Sequence, residues 1–359
     1  MKQSTYIIAE AGVNHNGELE KALELITVAK EAGADAVKFQ TFTAKALVTK
    51  EAKKAAYQVT NTGNDHSQYE MLKELELSVA AHQQLRQHCQ QQGIEFLSTP
   101  FDIASLDLLV DELAVKRVKI GSGDLTNAPL LFAVGQKKIP VILSTGMATL
   151  GEIEQALMVL AYSYKSDEAP TSFQQCAQAY FSAQGQETLQ AYVTLLHCTS
   201  EYPTPPAHIN LRAMDTLREA FSLAVGFSDH SLGTWIPCAA VAKGACIIEK
   251  HFTLDKGLPG PDHRCSLEPE ELKQLVQGIR DVEFALGNGR KLPTTTEIET
   301  RNHVRKSVVA TQLIQLGESF TEINIDCKRP GDGLPATQYW EMLGKVASKA
   351  YQPGELILE

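Results

Sequence analysis

Eight short apolar runs, each followed by a segment long enough for a helix, constrain the fold of this chain more than any other feature. The runs are rich in Val, Ile and Phe, and in chain order they read YIIAE, AVKFQ, IEFLSTPF, RVKIGSGD, PVILSTG, YVTLLHCTS, LAVGFSDH and CIIEKHF. Strands that alternate with helices are typical of parallel sheets. An open doubly wound sheet shares this pattern, but eight units within about 285 residues favour a closed barrel. We therefore predict an α/β fold with a (β/α)8 TIM barrel over residues 1–287.

The chain continues past the last predicted barrel helix into two further segments. Residues 288–304 are polar, contain Gly and Pro, and lack a sustained apolar period, which predicts a linker. Residues 305–359 hold short apolar pieces separated by GDG, LG and PG turns, which predicts a small, mostly β domain. A module of this size has a thin core, so we expect it to gain stability by docking on a larger body.

Two long connections interrupt the barrel pattern. Residues 44–68 form a polar stretch after the second strand, and residues 163–190 lengthen the connection between the fifth and sixth strands. Loops of this length are either functional lids or tolerated insertions. We expect a lid in the first case and a tolerated insertion in the second.

Charge and hydropathy exclude several classes of partner. The formal net charge is -10, whereas a nucleic acid or an anionic membrane surface is met by a basic face. The sequence has neither the run of about 18 apolar residues that spans a membrane nor a secretory signal, so we expect a soluble, cytoplasmic protein. The seven cysteines are scattered, which fits reduced thiols better than a disulfide framework or a thiolate zinc site.

Polar side chains collect at the C-terminal ends of the predicted strands, where barrel enzymes place their active sites. His230 and His251 end consecutive strands, and adjacent strands lie about 4.8 Å apart, so both imidazoles can reach one divalent ion such as Mn, Fe, Co or Zn. Two structural histidines are the alternative. Glu10, Glu249 and Asp262 are carboxylates suited to orienting sugar hydroxyls or moving protons, and surface charge is their alternative.

Lys38 and Lys119 lie within apolar strands, where a lysine needs a counter-charge or a lowered pKa. The backbone amides of the GSG turn at 121–123 and four serines accompany them, namely Ser122, Ser144, Ser200 and Ser228. Such a set suits a small ligand that carries a carboxylate and a phosphate. A lysine that forms a Schiff base remains an alternative.

Longer motifs give the chain a family resemblance. IIAEAGVNHNG, GADAVKFQTF, KIGSGD, STGMAT, HCTSEYPTP, GFSDHSLG, IIEKHFTLDK and GPDHRCSLEP resemble the N-acetylneuraminate (sialic acid) synthase family, in family order and across nearly the whole barrel. KSVVA, KRPGDG and LGKVA resemble the antifreeze-like (SAF) domain that follows the barrel in that family. The segment 163–190 departs from compact members of the family.

The resemblance implies a condensation of phosphoenolpyruvate with an N-acetylated aminosugar aldehyde and water, with phosphate released by C–O cleavage. Glu10, His230 and His251 would be catalytic, with both histidines binding Mn or Mg (Co is possible) that polarises the aldehyde and presents water. Phosphoenolpyruvate would be bound by Lys38, Thr99, Lys119, Ser122, Ser144, Ser200 and Ser228. The aminosugar would contact Gln40, Tyr202, Glu249, Asp262 and, from the partner subunit of a domain-swapped homodimer, Arg329.

The resemblance leaves three aminosugar substrates open, each of which gives a different product. N-acetylmannosamine, which gives N-acetylneuraminate, is our first expectation. The alternatives are 2,4-diacetamido-2,4,6-trideoxymannose, which gives legionaminic acid, and an altrose isomer, which gives pseudaminic acid. A different class of function is a further alternative, namely a non-catalytic protein that binds carbohydrate or ice. The absence of a Thr-rich repeat and the polar strand ends argue against it.

Overall fold

A computed structural model describes residues 4–63 and 66–358. The chain divides into two compact units, Met1–Gly287 and Asn288–Glu359. The outer ends of the predicted domains, at residues 1–3 and 359, lie outside the described residues.

The first unit contains the eight predicted strands, all parallel to their neighbours. They are β1 (Tyr6–Gly12), β2 (Ala36–Thr41), β3 (Glu95–Pro100), β4 (Val118–Ile120), β5 (Val141–Ser144), β6 (Val193–Cys198), β7 (Ala224–Asp229) and β8 (Ile247–His251). Their order in the sheet is β3-β2-β1-β8-β7-β6-β5-β4. The end strands β3 and β4 contact each other, although the described residues show no shared ladder between them. The structure confirms the predicted (β/α)8 barrel, which is nearly closed.

Helices alternate with these strands. They are α1 (Leu19–Glu31), α2 (Ala44–Leu47), α3 (Ala56–Thr62), α4 (Gln68–Leu75), α5 (Val79–Gln92), α6 (Ile103–Asp107), α7 (Ala128–Gln136), α8 (Leu150–Ser163), α9 (Phe173–Phe181), α10 (Ala183–Tyr192), α11 (Pro206–Ile209), α12 (Ala213–Phe221), α13 (Trp235–Ala242) and α14 (Pro269–Leu286). Local sequence sets several boundaries. Thr149 and Glu152 form a reciprocal capping box at the start of α8, and Gly93 ends α5 with a left-handed backbone.

The side chains that point into the barrel form two layers, one above the other along the barrel axis. The lower layer is a buried apolar cluster of Ile8, Ala36, Leu97, Ile142, Leu196 and Ile247. Successive side chains of a strand point to opposite faces, so the residue two positions later points inward again. In five strands that residue is polar, namely Glu10, Lys38, Thr99, Ser144 and Glu249. The apolar layer therefore closes the bottom of the barrel, and the polar layer above it is free to form a site.

The segments predicted as irregular contain helices. The stretch 44–68 holds α2 and α3, and α9 and most of α10 lie in the stretch 163–190. The predicted linker 288–304 contains α15 (Thr295–Val304). None of the residues of α15 is buried, so it lacks the apolar stripe by which a helix is recognised from sequence.

The second unit is small and includes antiparallel strands β9 (Ser307–Ala310) and β10 (Ile325–Lys328), followed by α16 (Tyr339–Met342). Its own core includes Val308, Phe320 and Tyr351. All seven cysteines are free. Within the described part of the chain, none of the helices has the length and hydropathy that crossing a membrane requires.

Candidate active site

A cavity of about 460 Å³ opens where the barrel strands end. It brings together most of the predicted site residues, namely Glu10, Lys38, Gln40, Thr99, Lys119, Ser122, Ser144, Ser200, Tyr202, Ser228, His230, Glu249 and His251. Asp262 does not line this cavity. Arg329 belongs to the second unit, just after β10.

Four buried charged side chains form the floor of the cavity. Lys38 Nζ pairs with Glu10 Oε2 and lies 3.7 Å from Glu249 Oε2, while Lys119 Nζ lies 3.2 Å from Glu249 Oε1. Lys38 also donates to Thr99 Oγ1 at 3.2 Å. The lysines thus have the counter-charges that buried ammonium groups need. Burial alone would lower the pKa of Lys38, but the carboxylates of Glu10 and Glu249 outweigh it and hold that pKa above its usual value, so Lys38 stays charged.

The two carboxylates of this floor differ in acidity. Burial raises the pKa of Glu10, and the Lys38 ammonium offsets only part of that effect. Burial alone would also raise the pKa of Glu249, but the ammonium groups of Lys119 and Lys38 outweigh it and hold the pKa below its usual value. Neighbouring carboxylates whose pKa values are driven apart can take different roles, one as a proton carrier and one as a fixed charge.

Hydroxyl groups converge around Gly146 on the β5 and β6 side of the cavity. The backbone amide of Gly146 donates to Ser122 Oγ at 2.9 Å. A β-carbon at Gly146 would lie 2.6 Å from Ser200 Oγ and 2.8 Å from Ser122 Oγ, so only glycine lets these hydroxyls approach. Ser144 Oγ is buried and has no hydrogen-bond partner among the described residues. A buried hydroxyl in this state is suited to binding a ligand oxygen.

His230 and His251 lie side by side on the β7 and β8 side of the cavity. Their ring centroids are 5.5 Å apart, and the Tyr202 ring lies 4.2 Å from that of His230. His230 Nδ1 lies 2.6 Å from the carbonyl oxygen of Thr199, which can only accept, so Nδ1 carries the proton and Nε2 carries a lone pair. Ser228 Oγ is the neighbour of Nε2, at 3.4 Å. Burial lowers the pKa of His230 to about 4 and that of His251 well below its usual value.

This pair fits a divalent metal ion. Neutral imidazoles are the ligand form of histidine, and an N–H donated to a carbonyl is how metal-bound histidines are usually held. His251 Nδ1 is buried without a hydrogen-bond partner among the described residues, as a nitrogen reserved for another ligand would be. The residues described include no group of three or more His, Cys, Asp and Glu side chains arranged for a metal. Water and substrate oxygens would therefore complete the coordination of an ion bound to these two histidines.

Several lining residues come from the 44–68 segment and were not predicted as site residues. Ala55, Tyr57, Gln58 and Gln68 line the cavity. The Tyr57 ring lies 4.9 Å from the Tyr202 ring. Burial, followed by the charge of Asp262, raises the pKa of Tyr57, which places Asp262 close to this aromatic pair. An aromatic residue within an otherwise polar loop was the only signal available in the sequence.

Asp262 makes the stability of the barrel depend on pH. Burial raises its pKa to about 6 from the ordinary 3.8. Each pKa unit is worth about 1.4 kcal/mol, so at pH 8 the buried carboxylate costs about 3 kcal/mol of unfolding free energy. The carboxyl group is protonated in both states below about pH 4, and stability is lost as the pH rises through about 6.

We therefore expect Asp262→Asn to raise the unfolding free energy at pH 8 by up to about 3 kcal/mol, and to leave it unchanged near pH 4. Urea unfolding at both pH values measures the difference. The exposed Asp167, replaced in the same way, serves as the control and should show no pH-dependent gain. An Asp262→Asn effect of equal size at both pH values would contradict the assignment.

Comparisons with known proteins identify the family of this chain. The NeuB family model matches residues 25–291, and the SAF domain model matches residues 305–359. The N,N'-diacetyllegionaminic acid synthase of Campylobacter jejuni is 50% identical over 357 residues, which cover 99% of this chain and 100% of the relative. The synthase of the same name from Legionella pneumophila is 45% identical over 353 residues, which cover 98% of this chain and 93% of that relative.

A solved structure is similar across most of the chain. It is the N-acetylneuraminic acid (sialic acid) synthetase of Leptospira borgpetersenii in complex with citrate. The TM-score is 0.65 at 34% identity, with 84% of this chain and 92% of that chain covered. The protein is therefore an enzyme of the NeuB family, the sialic-acid-type synthases, with a SAF domain at its C-terminus.

Proposed function

We propose that this enzyme condenses phosphoenolpyruvate and water with 2,4-diacetamido-2,4,6-trideoxymannose to give N,N'-diacetyllegionaminic acid and phosphate. The choice of sugar is supported by 50% identity over full length to a synthase of that name. N-acetylmannosamine, the first expectation from sequence, is supported at the level of the family and by the solved relative at 34% identity.

The arrangement of buried charge in the cavity carries the chemical part of the proposal. Lys38 and Lys119 supply two ammonium groups, Ser122 and Ser200 add hydroxyl groups around Gly146, and Ser144 adds a further hydroxyl group to the cavity. Together they suit the carboxylate and phosphate of phosphoenolpyruvate, because hydrogen bonds to charged groups are the stronger ones. Ser228 donates to Glu249 Oε1 at 2.7 Å, and the same oxygen lies 3.2 Å from Lys119 Nζ, so Ser228 would act on the anion indirectly by holding the partner of Lys119.

The sugar would lie toward His230, His251 and Tyr202, with Gln40 as a further polar group of the cavity. In the reaction, C3 of phosphoenolpyruvate attacks the aldehyde carbon, water adds at C2, and the tetrahedral intermediate breaks its C–O bond to release phosphate. A divalent ion bound to His230 and His251 would supply Lewis-acid polarisation of the aldehyde. Glu10, whose pKa is raised by burial, accepts the proton lost by the water and gives it to the alkoxide oxygen left by the aldehyde, while the departing phosphate takes the proton of the C2 hydroxyl as the ketone forms.

Phosphate release tests the proposal directly. The purified protein is assayed with phosphoenolpyruvate and Mn²⁺ on each sugar, with and without EDTA, and the product is identified by its mass. We expect release that EDTA abolishes, with kcat/KM about 10-fold or more higher for the diacetamido sugar. A higher value for N-acetylmannosamine would make the protein an N-acetylneuraminate synthase. Release with neither sugar would refute both assignments.

Gly146 provides a test of the anion site. In Gly146→Ala the new methyl group displaces Ser122 and Ser200, and we expect the KM for phosphoenolpyruvate to rise about 10- to 100-fold. Steady-state kinetics at saturating sugar measure the change. Gly151→Ala is the matched control, because a β-carbon there meets nothing within 4 Å. An unchanged KM in Gly146→Ala would remove the serines from the anion site.

We propose that the enzyme acts as a homodimer in which Arg329 of the partner subunit reaches the acyl group of the sugar. Exposed apolar side chains lie just after β5 and β7, where Met147, Leu232 and Trp235 are 73%, 62% and 85% exposed. Such side chains often mark an interaction surface, which supports a partner subunit that covers the opening of the cavity. Light scattering should give twice the 39.3 kDa chain mass. Mixing Glu10→Gln and Arg329→Ala subunits should restore activity that neither variant has alone. A monomer, or no restoration on mixing, would contradict the exchange.

A further inference from the structure

A buried ion pair lies directly behind the two histidines. Lys250 Nζ lies 2.7 Å from Asp229 Oδ2, and the two side chains are 1% and 0% exposed. Asp229 and Lys250 are register partners across β7 and β8. Their neighbours Ser228, His230, Glu249 and His251 line the cavity, so by strand alternation the pair lies on the opposite face of the sheet. It therefore makes no contact with a substrate in the cavity.

The pair holds the backbone on both sides of His230. Asp229 Oδ1 accepts from the backbone amide of Ser231 at 2.9 Å and from its hydroxyl at 2.7 Å. Lys250 Nζ donates to the carbonyl oxygen of Ser231 as well as to Asp229. The residues before and after His230 are thus both bound to one ammonium group, and the next residue after that lysine is His251.

Simple stabilisation does not account for this arrangement. Two charges removed from water cost about as much as their attraction returns, and a well-packed apolar pair often does as well. A charged pair does what an apolar pair cannot, because its directional hydrogen bonds hold a backbone segment at one position. Here that segment carries one of the two imidazoles, and the strand that supplies the ammonium group carries the other.

We propose that Asp229 and Lys250 are positioning residues that set the separation and orientation of His230 and His251 for a divalent ion. The inference rests on the proposed function, because it assumes that these histidines bind the metal. Groups that orient metal ligands typically contribute 10- to 100-fold to metal affinity. The pair would act on metal binding through the backbone of His230, with no contact to the ion.

The test measures Mn²⁺ binding to the free enzyme by electron paramagnetic resonance, with Mn²⁺ as the only ligand. Lys250→Met leaves Asp229 buried and unpaired, so this variant should lose stability as well as affinity. The double variant Asp229→Leu with Lys250→Met removes both charges and should recover the melting temperature. We expect its Kd for Mn²⁺ to stay 10- to 100-fold above wild type. The visible spectrum of bound Co²⁺ should also shift, because it reports ligand geometry.

Arg117→Met is the matched control, since Arg117 Nε and Glu95 Oε1 form an ion pair 3.0 Å long near the starts of β4 and β3, at the other end of the barrel. Its Kd for Mn²⁺ should equal that of wild type. A double variant that is folded and binds Mn²⁺ like wild type would overturn the positioning role while leaving the proposed function intact. If wild type binds no Mn²⁺ yet releases phosphate, the metal site fails and the positioning role with it, whereas the condensation reaction stands.

Discussion

Replacing Glu10 with Gln should lower kcat by about 10²- to 10⁴-fold, the usual contribution of a positioned general acid or base. The amide keeps the shape of the side chain, but it cannot exchange a proton with the water that adds at C2. Because burial raises the pKa of Glu10, kcat of the wild type should change with pH near neutrality, and this dependence should be absent from the variant. Steady-state kinetics across the neutral range measure both effects.

Two further measurements distinguish a loss of proton transfer from a general loss of activity. The KM for phosphoenolpyruvate should change much less than kcat, because Lys38 retains Glu249 as a partner and the anion site keeps both lysines. Glu95→Gln, at the opposite end of the barrel, is the control and should leave kcat unchanged. A Glu10→Gln enzyme with a kcat near wild type would exclude Glu10 from proton transfer.

Lys119→Met should have the largest effect on stability, a loss of about 3 kcal/mol or more in unfolding free energy. The substitution leaves the buried Glu249 carboxylate with Lys38 at 3.7 Å as its remaining ion pair, in place of the closer contact at 3.2 Å. Breaking a buried pair by removing one partner is costly because a charge stays buried without full compensation. Urea unfolding at pH 7 measures the loss.

A second substitution separates stability from function. Adding Glu249→Gln to Lys119→Met removes the stranded charge and should restore part of the lost stability. The KM for phosphoenolpyruvate should be raised in Lys119→Met and should remain raised in the double variant, because both lack an ammonium group of the anion site. Lys73→Met breaks an exposed ion pair with Glu76 and should leave the unfolding free energy close to wild type. If Lys119→Met were as harmless as Lys73→Met, the pair with Glu249 would not be a stabilising contact.

Regular repetition explains why so much of the barrel could be predicted. The apolar runs and helix periods are local signals, and each of the eight predicted apolar runs overlaps a strand of the barrel. Prediction failed where a segment has no apolar period of its own. No residue of the short helix α3 is fully buried, and Tyr57 is half-buried, so neither the helical form nor the position of Tyr57 in the cavity was visible in the chain.

By itself, the sequence determined the barrel, the small C-terminal module and most of the polar residues that meet in the cavity. Strand order and period-2 alternation are enough to bring Lys38, Lys119 and His251 to one end of a barrel. Only the tertiary structure decided which of these groups touch. The close approach of Ser122 and Ser200 at Gly146, and the Asp229 and Lys250 pair behind the histidines, join residues that are distant in the chain. Such contacts depend on distances of a few tenths of an ångström, and no local pattern in a sequence encodes them.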